Sequence, residues 1–169
     1  MDGSLKIVTV PAPVLRQPTK KVETFDSSLR NFTSQMEKTI KANKGTGLAA
    51  PQVGVGSHVF LMDIADRLYV MINLEILKSS NERSFYKEGC LSFPGVWLEI
   101  ERPRDVSVRY RDEYGVLHEA DFTDWEARCI QHELDHLNGR LFVDGLNKDR
   151  RDFIIRKIQK ETTRHRADF

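Results

Sequence analysis

Residues 131–139 read "QHELDHLNG", which places His132, Glu133 and His136 within five positions of one another. On a helix, residues four apart share a face and lie about 6 Å apart along the axis, so both imidazoles can aim a ring nitrogen at one ion. Glu133 comes with them, and metal-assisted hydrolysis is the chemistry that such a helix serves. The alternative is an exposed helix with two solvated histidines. Ile130, Leu134 and Leu137 argue instead for burial.

Two histidines make half a site, because a catalytic zinc-like ion usually takes three protein ligands and a water. The long metalloprotease pattern needs a third histidine at position 142, which is Phe142, so that version fails. The one glutamate downstream of the motif is Glu161, in a basic tail and a poor candidate. Cys90 in "EGCLSFPG" is better, lying between a strand and a Pro-Gly turn that can hold it at fixed angles. Cys90, His132 and His136 leave one tetrahedral position for water. Cys129 lies one turn before the histidines; as a fourth ligand it would close the site, whereas as a small buried thiol it simply forms pocket wall. A third stretch, "GTGLAAPQVG" from Gly45, has small residues that let a backbone approach a ligand and carries Gln52 as a neutral amide. It can also be read as a helix-ending turn, and as a phosphate loop it lacks the lysine.

These residues must be held by surrounding elements. After Asp26, the residues Leu29, Phe32, Met36 and Ile40 recur at helical spacing until Gly45, predicting a core-facing helix. "HVFLMDI" and "RLYVMINLEIL" read as strands, and "DVSVRYRDEYGVLHEADF" as a hairpin. The motif helix opens on a capping box of Thr123 and Glu126 and stops at Gly139. Ile130, Leu134 and Leu137 form one stripe on it, and Trp125, Cys129, His132 and His136 another, so it should be covered on two sides. From Asn147, Ile154 and Ile158 lie among Lys148, Arg150, Arg151, Arg156, Lys157, Lys160, Arg164 and Arg166, a basic amphipathic helix. Helices and strands are segregated, which implies an α+β fold: mixed or antiparallel sheets around a central helix carrying the histidine motif, plus a C-terminal helix. The division expected is a catalytic domain over residues 1–146 and a basic helix or tail over 147–169.

With 169 residues and a net charge of +1, the chain is sized for one core, and near-neutral charge gives no whole-protein argument for nucleic acid. No stretch approaches the roughly 18 apolar residues of a membrane span. The N-terminus, with Asp2 and two early prolines, does not read as a leader, so a cytoplasmic address is expected; the chain is also expected to be a monomer. Two cysteines are too few for a disulfide framework. His58, His118 and His165 belong to no cluster.

In this order, "GTGLAAPQ", "EGCLS" and "QHELDHL" resemble the three signature motifs of the peptide deformylases, and "VPAPVLRQPTKKV" extends the likeness over most of the chain. The resemblance implies that Cys90, His132 and His136 hold the metal and that Glu133 is the acid/base. It implies Gln52 and the backbone N–H of Leu91 as oxyanion donors, and Gly47 and Gly89 as lining of the substrate cleft. The implied substrate is the N-formyl group on the first methionine of nascent polypeptides. The implied ion is Fe²⁺ in the cell, with Zn²⁺, Ni²⁺ or Co²⁺ possible in purified protein. Such chemistry is coherent: a bound ion lowers the pKa of its water to about 7, and an adjacent carboxylate moves the proton to the leaving nitrogen. Tyr86, Trp125 and Arg128 lie near the motifs and are expected to shape the methionine pocket. Some bacterial deformylases use a basic C-terminal helix to approach the ribosome; the alternative here is a solvated face. A zinc endoprotease and a metal-stabilised binding module are the other classes. The first finds no support in Cys90 or "GTGLAAPQ", and the second needs a fourth protein ligand.

Overall fold

The structure, a computed structural model, describes residues 3–167, with side chains through Thr163. Helix α1, Ser27–Ala42, begins where Asp26 accepts the Leu29 N–H at 3.0 Å, satisfying one of the orphan donors of a helix start. It ends one residue earlier than expected. Lys44, not Gly45, takes the left-handed conformation at φ 53°, and the Gly45 N–H then donates back to the Ile40 carbonyl.

Strands β1 (Gly47–Ala49), β2 (Val59–Ile64), β3 (Arg67–Ser79), β6 (Asp105–Arg111) and β7 (Leu117–Thr123) form an antiparallel sheet in the order β1-β2-β3-β6-β7. Side chains alternate across a strand, and here both faces are covered. Leu48, Leu61 and Ile72 pack with Met36 and Ile40 of α1, whereas Ala49, Phe60, Met62 and Met71 pack with Ala127 and Ile130 of the motif helix. That is why "VFLM" is a continuous apolar run and not an alternating one. Asn73, at φ 53°, interrupts the β3–β6 register and clasps Val22 through both its amide atoms.

Strands β4 (Arg83–Cys90) and β5 (Phe93–Pro103) pair separately as a two-stranded sheet. The expected Pro-Gly turn after Cys90 is not the turn. The chain reverses at Leu91–Ser92, and Pro94 and Gly95 lie inside β5, in a break of register where proline's missing N–H costs no ladder bond.

Helix α2, Asp124–Leu137, carries the motif, and its residues from Ala127 to Glu133 are all buried. The capping box does not form: Thr123 is also the last residue of β7, paired with Asp105, and its hydroxyl donates to the Asp105 carboxylate across the ladder. At the other end Gly139 adopts φ 70° as the left-handed stop, and Thr19 donates its N–H and hydroxyl to the Leu137 carbonyl, each at 2.9 Å. Helix α3, Lys148–Ala167, buries Ile158 against Val10, Leu15, Phe93, Leu98 and Phe142. The side chains of Arg164, His165 and Arg166 lie outside the described residues, as does Asp2. The architecture is α+β as expected, and among the described residues no helix is long and apolar enough to cross a membrane.

A Cβ on Gly139 would lie 2.6 Å from the Arg16 carbonyl oxygen, in addition to the cost of a left-handed alanine. Gly139→Ala is therefore expected to remove about 2 kcal/mol of stability in urea unfolding. A loss below about 0.5 kcal/mol would mean that the Arg16 backbone yields freely.

Candidate active site

Three elements converge on one pocket. Strand β4 ends at Cys90, helix α2 contributes Arg128, Cys129, His132 and Glu133, and the segment after α1 contributes Gly45, Gly47 and Gln52. Cys90, His132 and His136 bring one ligand atom each to within 4.8 Å of one another, and Cys90 Sγ lies 3.2 Å from His136 Nε2. A tetrahedral ion with bonds of about 2.0–2.3 Å spaces its ligands roughly 3.5 Å apart, so this sulfur and two nitrogens fit a divalent ion.

The orientation of His132 is imposed by a residue that the sequence reading did not single out. Glu88 lies two positions before Cys90, on the same side of the pleat, and is buried. Its Oε2 accepts from His132 Nδ1 at 2.9 Å, which leaves Nε2 as the nitrogen available to a metal. Arg102 donates to both Glu88 oxygens at 2.6 and 3.0 Å, and to Asp135 at 2.8 Å. Arg128 donates to Glu88 Oε1 at 2.6 Å. Burial works against the Glu88 charge, but hydrogen bonds from His132 and Arg102, with their charges, outweigh it and hold the pKa at about 2 against an ordinary 4.5. The one signal in the sequence was the place of Glu88 in the strand alternation; its partners come from β5 and α2.

Gln52 is also held in one orientation. Its Oε1 accepts the Ala49 N–H at 2.8 Å, so Nε2, the donor end, faces Cys90 Sγ at 3.5 Å and Ser92 Oγ at 3.4 Å. The N-terminal segment locks both loops: Val8 N–H donates to the Gln52 carbonyl at 2.7 Å, and Ser92 Oγ to the Val8 carbonyl at 2.7 Å.

Glu133 is buried, and its Oε2 has no partner among the described residues. Burial, reinforced by the charges of Glu88 and Asp135 and opposed by His132 and Arg102, pushes its pKa up to about 7. Gly47 permits this carboxylate to lie where it does, since a Cβ there would collide with Glu133 Oε1 and sit 2.8 Å from Cys129 Sγ. His136 is pushed down by burial and by the charges of His132 and Arg102, and its Nδ1 lacks a partner among the described residues. For His132, burial is outweighed by hydrogen bonds to Cys90 and Glu88 and by nearby negative charge, so its pKa rises.

The structure thus gathers Cys90, His132, His136, Glu133, Gln52, Leu91, Gly47 and Gly89 about one cleft. Two expectations need correction, those for Trp125 and Tyr86, whereas Cys129 forms pocket wall, as a small buried thiol should. Cys129 is buried, touches the Thr46 carbonyl at 3.8 Å and stands outside the ligand cluster; burial and the charges of Glu133 and Glu88 push its thiol up. Trp125, expected on the buried stripe, is 42% exposed and forms part of the pocket mouth, because α2 has only just left β7 at that point. Tyr86 is not among the pocket-lining residues; the Arg128 guanidinium lies 5.2 Å from its ring centroid. Trp97, unremarked in the sequence, lines the pocket at 67% exposure, its ring 2.9 Å from where a Gly89 Cβ would stand. His58 sits between the Thr19 hydroxyl and the Leu74 carbonyl, and His118 pairs with Asp112. Glu161 lies exposed on α3.

Among known proteins, the chain is similar to members of one family. The family model described as polypeptide deformylase matches residues 4–152. The peptide deformylase of Bartonella henselae is 43% identical over 159 residues, covering 91% of this chain and 90% of its own length. That of Pseudothermotoga lettingae is 43% identical over 159 residues, covering 94% and 92%. The crystal structure of peptide deformylase from Ehrlichia chaffeensis in complex with actinonin superposes with a TM-score of 0.89 at 41% identity, covering 94% of this chain and 97% of that one. A peptide deformylase from Legionella pneumophila gives 0.89 at 38% identity, covering 97% and 98%.

The depressed pKa of Glu88 makes stability depend on pH. A carboxylate whose folded pKa lies below its unfolded value contributes stability above the unfolded pKa and loses it as pH falls through the folded one; here the window runs from 4.5 down to about 2. In chelator-treated protein, the urea midpoint of the wild type is expected to fall across that window and that of Glu88→Gln to fall less steeply. Parallel slopes would show that Glu88 is not the group responsible.

Proposed function

We propose, from the premise that the chain belongs to the polypeptide deformylase family, that it removes the N-formyl group of nascent polypeptides by metal-assisted hydrolysis at the cleft between β4, α2 and the Gln52 loop. It is a hydrolase of that family. The observation that carries the finer reading is the meeting of Cys90, His132 and His136 with a Glu133 carboxylate oxygen that has no partner among the described residues, in one pocket.

In this reading Cys90, His132 and His136 hold one divalent ion, Fe²⁺ in the cell, with Zn²⁺, Ni²⁺ or Co²⁺ able to take its place. Such an ion supplies Lewis acidity and makes water acidic enough to attack near neutral pH. Glu133 takes the proton from the attacking water and returns it to the nitrogen of the departing peptide. Its free oxygen and its isolation from bulk water support that role. Gln52 meets the developing oxyanion with Nε2, the end left outward once Oε1 is committed to Ala49. The Leu91 N–H, beside Cys90, is the second donor. Gly47 and Gly89 line the cleft where a side chain would obstruct the peptide.

Residues 1–146 form the catalytic domain in this proposal, acting as a cytoplasmic monomer, and 147–169 a basic helix that approaches the ribosome. The buried Ile158 makes charge neutralisation a better test than truncation. Lys157→Gln with Lys160→Gln, both exposed, should weaken ribosome co-sedimentation at low salt and spare short peptides. Equal co-sedimentation would count against the contact.

Formate release from formyl-Met-Ala-Ser by anaerobically purified protein, with bound metal assayed in the same sample, tests the chemistry. Glu133→Gln is expected to keep its metal and lose activity by about a hundredfold or more. Near-normal turnover in that variant would remove Glu133 from its role, and no release from fully metallated wild type would refute deformylation.

A further inference from the structure

We propose that Arg128 is a positioning residue of the metal site, one guanidinium tying both strands of the β4–β5 sheet to the helix that carries His132 and His136. The inference rests on the reading that Cys90, His132 and His136 hold the metal.

Cys90 and the two histidines belong to different bodies. Cys90 closes β4 in a two-stranded sheet that is separate from the five-stranded one, and the histidines ride on α2. Metal bonds tolerate errors of about 0.2 Å, whereas apolar contact between a helix and a sheet resists sliding only weakly because it has no direction. Directional bonds must therefore fix the helix against β4.

Arg128 supplies them. It is 2% exposed, and one turn of helix separates it from His132. Its Nη1 donates to Glu88 Oε1 at 2.6 Å and to the Ile100 carbonyl at 2.9 Å; its Nη2 donates to the Ser84 carbonyl at 2.7 Å and the Ser84 hydroxyl at 3.1 Å. Ser84 and Glu88 belong to β4, and Ile100 to β5. The planar fork reaches three points on two strands at once, which a lysine cannot do. The same guanidinium also bears on a ligand directly, because the Glu88 carboxylate that it grips accepts the His132 Nδ1 hydrogen at 2.9 Å. Arg102 grips that carboxylate from β5 and reaches Asp135 on α2. It makes no bond to Ser84 or Ile100, so it cannot replace Arg128 in holding the strands.

The test is metal affinity together with the spectrum of the cobalt-loaded protein. Arg128→Met keeps the bulk and removes all four donations. It is expected to weaken Zn²⁺ binding, measured by competition with a chromophoric chelator, by about tenfold to a hundredfold, and to shift the thiolate-to-cobalt charge-transfer band. Arg128→Lys, which keeps the charge and one donor direction, should fall between the two and stands in if Arg128→Met does not fold. Met36→Ala, in the cluster under α1, serves as a control for mere destabilisation: it should lower the melting temperature and leave affinity and band unchanged. Unchanged affinity and spectrum in the folded Arg128 variants, or equal losses in Met36→Ala, would overturn the proposal. Wild-type protein that takes up no metal would overturn the metal site and this inference with it, whereas metal uptake without formate release would refute deformylation alone.

Discussion

The Glu88 carboxylate, buried between two guanidiniums and an imidazole, is the interaction on which the site depends. Removing a carboxylate from water is expensive, and attraction to a partner repays the cost only when the geometry is good and every lone pair is used. Here both oxygens are used twice: Oε1 by Arg102 and Arg128, Oε2 by Arg102 and His132. The result is a group that stays charged deep in the protein and can only accept. Because it can only accept, His132 must present its other nitrogen to the cleft. Because its two arginines come from β5 and α2, the same carboxylate joins the sheet that bears Cys90 to the helix that bears the histidines.

The rest of the fold gives that junction something rigid to stand on. The five-stranded sheet has α1 on one face and α2 on the other, with Leu61 and Phe60 as neighbouring residues pointing into opposite clusters. A helix pressed on an apolar sheet by Ala127, Ile130 and Leu137 can turn its other flank, with Arg128, His132 and His136, toward a polar interior. Without the apolar flank, the polar one would have no fixed place; without the arginines, it would hold uncompensated charge.

What was legible in the sequence follows the range of the interactions concerned. His132 and His136 could be read as a pair because helical geometry alone puts residues four apart on one face, and Gly139 as a stop because a left-handed residue is a local matter. Cys90 is legible because two histidines leave a three-ligand site one residue short. Glu88 could not be assigned from the sequence, although it lies two residues from Cys90, because its meaning comes from Arg102, Arg128 and His132, which only tertiary pairing brings to it. The capping box failed for a related reason: Thr123 ends a strand as well as starting a helix, and its cross-strand partner Asp105 took the hydroxyl. Spacing puts Trp125 on the inward stripe, but spacing gives the angle around a helix and not the depth at which the helix end lies.

The charge arrangement also bears on why the polar cluster is not an apolar core. Arg102 and Arg128 carry two positive charges, and Glu88 and Asp135 two negative ones, so the group supporting the ligands is neutral as a whole. An apolar replacement of similar volume could equally be neutral and could be more stable. It could not fix the tautomer of His132, and it could not bond to the Ser84 and Ile100 carbonyls. The buried charges are therefore better understood as fixing geometry than as adding stability, and that geometry is what a three-ligand site assembled from a sheet and a helix requires.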